Sequence, residues 1–378
     1  MTEAVRRVLV TGANGFIGKN VVVRLAEMPD FVVSTFCRGD AVDTLPALVA
    51  KADAVLHLAG ENRPPDESAF AEVNTGLTEA LCDAIRREYA VTGRRVALVL
   101  ASSTQAETAN AYGRSKLGAE RAVQALTEAT GNPTTVFRLP GVFGKWCKPH
   151  YNSVVATFCH QIARGLPVRI SDPAARLRLV YVDDVVSALI AALTHSAADA
   201  EHGVVQPEFS ISLGELAAQI QAFSACRDAG LHTERVGVGL VRALYATYVS
   251  YLPTEQFAYE VLQYADARGV FVEMLKTPDC GQFSYFTAHP GITRGGHYHH
   301  TKTEKFLVMK GRALFRFRHL LTNERYELHT SGDQPQVVDT IPGWTHDITN
   351  VGEDELVVML WANEIFDRQN PDTISSPI

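Results

Sequence analysis

Tyr112 and Lys116 stand four positions apart in the run Tyr112-Gly113-Arg114-Ser115-Lys116, a spacing that puts both on one face of a helix. A phenol with its ordinary pKa near ~10 carries protons poorly at neutral pH. An ammonium group beside it favours the phenolate and draws that value down. Just upstream, Ser102-Ser103-Thr104 offers hydroxyls able to hold a substrate oxygen against the phenol. A second cluster lies far downstream. His297 and His299 are two apart, so on a strand both imidazoles face the same way. Glu304 follows across a short turn, and His346 supplies a third imidazole. Three imidazoles and one carboxylate suit Zn²⁺, Fe²⁺, Mn²⁺ or Ni²⁺, with a position left for water or substrate.

A third set could hold a nucleotide. Thr11-Gly12-Ala13-Asn14-Gly15-Phe16-Ile17-Gly18 follows a short apolar run and opens a helical pattern. Glycines at 12, 15 and 18 permit a tight turn, close backbone approach to a pyrophosphate, and close packing of helix on strand. The helix start then offers free N–H groups and a positive dipole end to the phosphates. About 20 residues on, a dinucleotide site carries an acid for the ribose of NAD or a base for the 2′-phosphate of NADP. That place reads Cys37-Arg38-Gly39-Asp40. Arg38 favours NADP because a guanidinium grips a phosphate as a fork, while Asp40 is the alternative contact.

The elements that position these groups come in two styles. Val8-Leu9-Val10, Phe31-Val32-Val33, Ala54-Val55-Leu56 and 96–100 are short apolar runs, as strands buried on both faces should be. Helix-like stretches at 18–27, 71–89 and 113–130 separate them. That alternation predicts a parallel, doubly wound sheet. From about residue 270, strand-like segments at 282–288, 305–309, 313–318, 337–341 and 356–361 follow one another without long helices. They predict an antiparallel sandwich or barrel. The aromatic stretch 235–268, broken by Pro253, reads as helical and as the junction.

Composition narrows the function classes. With 378 residues, 46% of them hydrophobic, the chain has material for two cores. A net charge of −7, from 35 basic and 42 acidic side chains with no basic block, argues against nucleic acid and anionic membranes. No signal peptide or membrane span is read. The cysteines at 37, 82, 147, 159, 226 and 280 form no C-x-x-C pair and read as reduced thiols, so the expected location is the cytoplasm.

Residues 1 to about 250 resemble the extended short-chain dehydrogenase/reductase family. The likeness rests on T-G-A-N-G-F-I-G (11–18), D-A-V-L-H-L-A-G (53–60), V-N-T (73–75), S-S-T (102–104), Y-G-R-S-K (112–116), R-L-P-G-V-F-G (138–144) and Y-V-D-D-V (181–185). It implies that Tyr112 is the general acid for a reduced ketone and that Lys116 tunes it and holds the nicotinamide ribose. Thr104 becomes the hydroxyl partner, with Ser103 the alternative. Cofactor contacts are implied for Gly12, Asn14, Gly15, Phe16, Ile17, Gly18, Arg38, Leu58 and Ala59, together with Tyr112 and Lys116. Asn74 matches the family's backbone-linking asparagine; Gly141 stands where the family usually carries Asn and is given no role. Val182-Asp183-Asp184 reads as structural.

The distal histidines match both motifs of the cupin family, as Gly291-x5-His297-x-His299-x4-Glu304-x6-Gly311 and Gly343-x2-His346-x3-Asn350. His297, His299, Glu304 and His346 are therefore the expected metal ligands, with zinc foremost. Arg294-Gly295-Gly296-His297 also resembles the R-G-x-H of metal-free keto-sugar epimerases, in which the histidine is a base. His299, Glu304 and His346 complete a set that the metal-free epimerases lack, which favours His297 as a ligand; His300, Lys302 and Tyr298 remain acid or base candidates.

The order of the halves, with H-Y-H-H-T-K-T-E-K-F (297–306) and W-A-N-E-I-F-D (361–367), is similar to the CapF-type family of bifunctional capsular polysaccharide synthesis enzymes. This resemblance implies an α/β Rossmann-like doubly wound parallel sheet over residues 1–255, followed by an all-β cupin barrel over 256–378. It further implies NADPH, a divalent metal, a UDP-activated N-acetylated 4-keto-6-deoxy sugar and a homodimer. The cupin would epimerise C3 of UDP-2-acetamido-2,6-dideoxy-4-hexulose. The reductase would then convert the C4 ketone, giving UDP-2-acetamido-2,6-dideoxy-L-talose for surface polysaccharides. The alternative is a 4-keto sugar nucleotide reductase whose cupin only binds or dimerises.

Overall fold

A computed structural model describes residues 5–194, 201–226, 233–261, 263–266, 269–272, 281–364 and 369–378 of the chain. The chain divides into two compact units, residues 1–153 with 177–210, and 154–176 with 211–378. The 255/256 division read from the sequence falls inside the second unit.

The first unit is built on a parallel sheet. Its strands are β1 (Arg6–Thr11), β2 (Phe31–Phe36), β3 (Ala54–His57), β4 (Ala97–Ser103), β5 (Thr134–Leu139) and β6 (Glu201–Gly203), in the order β2-β1-β3-β4-β5-β6. Every neighbouring pair is parallel. Val8, Leu9, Val10, Val55, Leu56 and Leu98 are fully buried, which is why these strands read as unbroken apolar runs. Helices α1 (Phe16–Ala26), α2 (Leu77–Thr92) and α3 (Ala111–Thr130) supply the layers. Leu81, Ile85, Val123 and Leu126 pack with Leu9, Val55 and Leu98 in one core. Because β2 lies on one side of β1 and β3 on the other, the winding reverses at β1. A crevice opens at the carboxyl ends of such strands, and ligands of open α/β sheets bind there.

The second unit carries three helices, Val154–Ile162, Leu213–Ala225 and Gly239–Val249, and two five-stranded sheets. One runs Ala258–Glu260, Gln336–Asp339, Glu304–Lys310, Leu356–Ala362, Gln282–Ala288; the other runs Arg325–Ser331, Arg312–His319, Trp344–Asn350, Thr293–Tyr298, Ile374–Ser375. All of their described pairings are antiparallel. Phe306, Phe315, Phe317, Val337, Val358 and Trp361 are buried, and Phe306 of one sheet packs against Phe315 of the other.

The helical reading of 235–268 holds only for Gly239–Val249. After Pro253 the chain makes one 3₁₀ turn and enters strand Ala258–Glu260, which pairs with Gln336–Val338. Proline cannot continue the helix, and the new strand finds its partner far along the chain. Strands Thr293–Tyr298, Arg325–Ser331 and Trp344–Asn350 escape the periodicity, because their residues are mostly polar. Cys280 and residues 365–367 of the terminal motif lie outside the described residues.

Candidate active sites

In the first unit the glycine turn is a backbone cradle. Gly12 has φ +71°, and a Cβ there would lie 2.6 Å from the Ala59 amide nitrogen. A Cβ on Gly18 would lie 2.2 Å from the Gly12 carbonyl oxygen. Both glycines are demanded by close approach, so the turn sits flat against the end of β3. Helix α1 starts at Phe16 with no side chain capping its first amides, which leaves N–H groups free to bind an anion. The exposed Asn14, with Phe16 and Ile17, borders this helix start, and Leu58 and Ala59 follow β3. Beneath them, Thr11 Oγ1 bonds His57 Nδ1 at 2.6 Å, and His57 Nε2 bonds Thr78 Oγ1 at 2.8 Å. Thr78 itself donates to the Asn74 carbonyl, so the proton of His57 belongs on Nε2. Burial, helped by Lys116, pushes this imidazole down to about 3 and keeps it neutral.

Arg38 extends from the end of β2 with its side chain 84% exposed and pairs with Glu61, which also accepts the Tyr151 hydroxyl at 3.1 Å. A phosphate at this place would share Arg38 with Glu61. The Asp40 carboxylate is engaged by the Cys37 amide at 2.7 Å.

Tyr112 and Lys116 occupy the first turns of α3, whose start is capped by Asn110 Oδ1 accepting from Gly113 N. Lys116 is 7% exposed, and its Nζ donates to the Ala101 carbonyl at 3.3 Å. Burial lowers it to about 8, against an opposing pull from Glu120. Burial raises the Tyr112 phenol, and a hydrogen bond with Ser103 offsets part of that rise. The lysine-driven fall expected from the spacing is therefore not what governs the phenol, which burial raises. Lys116 Nζ lies 6.0 Å from the centre of the phenol ring, too far to compensate for desolvation. The hydroxyl that engages Tyr112 is Ser103, which ends β4; Thr104 opens the following 3₁₀ turn. Phe70 packs edge-on against the Tyr112 ring at 5.6 Å.

Asn74 ties the site together. It lies in a π-helical turn, Ala71–Gly76, ahead of α2. Its Oδ1 accepts from Glu61 N at 2.7 Å, and its Nδ2 donates to the Glu61 carbonyl at 3.1 Å and to Ser115 Oγ at 2.9 Å. The loop after β3 is thereby fastened to the helix that carries Tyr112 and Lys116. Such single-turn π segments frequently mark functional sites.

In the second unit, His297, His299, Glu304 and His346 bring one ligand atom each to within 4.8 Å of one another. A bulge between Gly295 and His297 sets His297 directly opposite His346, the re-aiming that bulges provide. His299 lies just past the strand end, and Glu304 begins the next strand. His299 Nδ1 meets the Asp372 carbonyl at 2.5 Å, while its Nε2 lies 3.1 Å from Glu304 Oε2. The carbonyl requires a proton on Nδ1, which leaves Nε2 as the nitrogen that faces the carboxylate. Among the described residues, neither ring nitrogen of buried His346 has a hydrogen-bond partner, and its Nε2 is 3.5 Å from the same Glu304 oxygen. Three imidazole nitrogens and a carboxylate oxygen converging in this way fit a divalent cation. Burial and the neighbouring imidazoles hold His297 down at about 3. Burial pushes Glu304 up, but His299 and His346 prevail and leave it well below the usual carboxyl range. The cluster opens on a cavity of about 180 Å³ walled by Phe286, Phe306, Phe315 and Leu360, with Arg294 among its polar residues.

Comparison with known proteins agrees with this geometry. Residues 8–206, more than half of the chain, match the NAD dependent epimerase/dehydratase family. The chain belongs to that family. Membership implies a nicotinamide cofactor, which the uncapped helix start and the bare glycine turn fit. Residues 264–374 match the polysaccharide biosynthesis C-terminal domain. The UDP-2-acetamido-2,6-beta-L-arabino-hexul-4-ose reductase of Pseudomonas aeruginosa is 53% identical over 98% of this chain and 99% of its own. The crystal structure of the capsular polysaccharide assembling protein CapF from Staphylococcus aureus is 39% identical and covers 98% of this chain and 100% of its own, with a TM-score of 0.65. The chain is thus CapF-like over nearly its whole length. The crystal structure of the Bordetella bronchiseptica enzyme WbmF in complex with NAD+ covers 60% of this chain and 80% of its own at 21% identity and a TM-score of 0.52. That likeness is one of fold. Among the described residues no helix is long and apolar enough to cross a membrane.

Proposed function

We propose that this chain is a bifunctional cytoplasmic nucleotide-sugar enzyme of surface polysaccharide synthesis, working as a homodimer. Residues 256–378 epimerise C3 of a UDP-2-acetamido-2,6-dideoxy-4-hexulose, and residues 1–255 reduce its C4 ketone to UDP-2-acetamido-2,6-dideoxy-L-talose. The observation that carries the reading is the Ser103–Tyr112–Lys116 group beside a glycine cradle, in a chain 53% identical to a named keto-sugar reductase.

In the reduction, NADPH when bound supplies the hydride that adds to C4. Tyr112 donates its phenolic proton to the carbonyl oxygen, turning ketone into alcohol, and Ser103 holds that oxygen in line. Lys116, fixed by the Ala101 carbonyl, keeps a positive charge near the phenolate as it forms. Asn74 holds the loop after β3 against the helix that presents both groups.

In the epimerisation, a base removes the C3 hydrogen as a proton, the electron pair passes into the C4 carbonyl, and a proton returns on the opposite face. His297, His299, Glu304 and His346 would hold a divalent ion, zinc foremost, whose charge offsets that of an anionic substrate oxygen. Lys302, whose Nζ lies 3.4 Å from Glu304, would serve as the proton carrier. The cavity's aromatic wall shields the exchange from bulk water.

Incubation with a UDP-N-acetylated 4-keto-6-deoxyhexose in deuterated water tests both steps. Without NADPH, deuterium is expected at C3; with NADPH, one equivalent of cofactor is oxidised per product. Cofactor oxidation without deuterium uptake would leave a reductase with a non-catalytic cupin, and neither event would end the proposal. The assignment of the hydroxyl has its own check. Ser103→Ala should lower kcat roughly 10²-fold, the usual cost of one lost donor to a developing oxyanion, and Thr104→Ala far less. The reverse order would return the role to Thr104.

A further inference from the structure

The segment 371–377 bonds His299, pairs with the strand of His297 and bonds Lys302 and Thr345, the neighbours of Glu304 and His346. The Asp372 carbonyl receives His299 Nδ1 at 2.5 Å. Its carboxylate accepts the amides of His300, Thr301 and Lys302 at 2.9, 2.6 and 2.7 Å, closing the turn between His299 and Glu304. Thr373 Oγ1 accepts Lys302 Nζ at 2.9 Å, and that ammonium lies 3.4 Å from Glu304 Oε1. Ile374–Ser375 adds a strand to the sheet, with Ser375 opposite His297. Ser376 N donates to the Gly296 carbonyl at 2.7 Å, and the Ser376 carbonyl accepts Thr345 Oγ1, next to His346, at 2.5 Å.

We propose that segment 371–377 is a strap that preorganises the metal centre, with Asp372 as its positioning residue. This rests on the reading of the cluster as a metal site. A carboxylate that accepts three consecutive backbone amides fixes the path of a turn far more firmly than loop packing does. Here that turn is the one between two ligands. The Asp372 carbonyl selects the His299 tautomer whose Nε2 faces the cluster, the arrangement that outer-shell partners impose on metal-binding imidazoles. Strand pairing at Ser375 and the bond to Thr345 hold the other two histidine-bearing strands in register. The strap touches each ligand's support without supplying a ligand itself.

Asp372→Asn keeps the volume but turns a side-chain NH₂ group toward backbone N–H donors, so the carboxylate's grip is lost. Ser376→Pro removes the bond to Gly296 and unhooks the strap farther from the ligands. Both full-length variants and the wild type, stripped with chelator, are titrated with Co²⁺, reading the visible d–d bands. Circular dichroism of the stripped proteins controls for folding. The wild type is expected to bind Co²⁺ and develop visible d–d bands. Each variant should bind roughly 10- to 100-fold more weakly, the range for lost outer-shell partners, with altered band positions. Wild-type affinity and bands in Asp372→Asn overturn the strap while leaving the metal reading intact. Failure of the wild type to bind Co²⁺ or Zn²⁺ overturns both. If Asp372→Asn does not fold, Ser376→Pro decides by the same two criteria.

Discussion

Tyr112→Phe is expected to slow keto-sugar-dependent oxidation of NADPH by roughly 10²–10⁴-fold, the range for a lost general acid. Substrate KM should move much less than kcat, because the phenolic proton matters only as charge builds on the C4 oxygen. The substitution removes one oxygen and leaves the ring seated on Phe70. Ser103 keeps its bond from the Gln105 amide at 3.1 Å, so the fold around it has no reason to shift. Stopped-flow absorbance of the cofactor measures the rate directly. A variant within about threefold of wild type would remove Tyr112 from the mechanism. Because Ser103 and Tyr112 act on the same oxygen, the double variant should lose little more than Tyr112→Phe alone.

Lys116→Met should do two opposite things: abolish turnover and make the first unit more stable. Burial holds this ammonium at about 8, below its ordinary 10.5. Between those pH values the unfolded chain carries a proton that the folded chain has released. Folding is thus penalised by about 3 kcal/mol at neutral pH, and stability rises as pH climbs from about 8 toward 10.5. Methionine removes the penalty but leaves the Ala101 carbonyl without its donor, a loss of about 1 kcal/mol. The net gain should raise the thermal midpoint of the cofactor-free variant by several degrees at neutral pH and vanish near the lysine's ordinary pKa of ~10.4. The same titration limits catalysis. Above about pH 8 Lys116 loses its charge while Tyr112 stays protonated, so kcat/KM for reduction should decline on the alkaline side with an apparent pKa near 8. An unchanged midpoint in Lys116→Met, or a profile that stays flat well above pH 8, would contradict the buried-lysine account.

Much of the machinery is legible without coordinates because it is local. The glycines at 12, 15 and 18 lie within one turn, and Tyr112 and Lys116 are one helical turn apart. Their functions follow from steric room and periodicity, which short spacings encode. The histidine–glutamate set spans farther, yet residue type restricts it. Imidazoles two apart beside a carboxylate have few other uses, and the fold gathers the ligand atoms of all four residues within 4.8 Å. The parallel sheet is likewise written in its apolar runs.

Tertiary structure decided what depends on contacts distant along the chain. Where β4 ends sets which hydroxyl stands nearest Tyr112: Ser103 closes the strand and lowers the phenol, while Thr104 opens the next turn. Arg38 is engaged by Glu61, 23 residues on, and Asn74 fastens Glu61 to Ser115, which lies 41 residues beyond Asn74. Asp372 reaches His299 over 73 residues, and no periodicity could announce it. The desolvation that lowers Lys116 and raises Tyr112 is also a property of the packed state. Residue types and short spacings set which chemistry is possible; burial and long-range hydrogen bonds set each group's charge and aim, because both arise only when distant segments exclude water together.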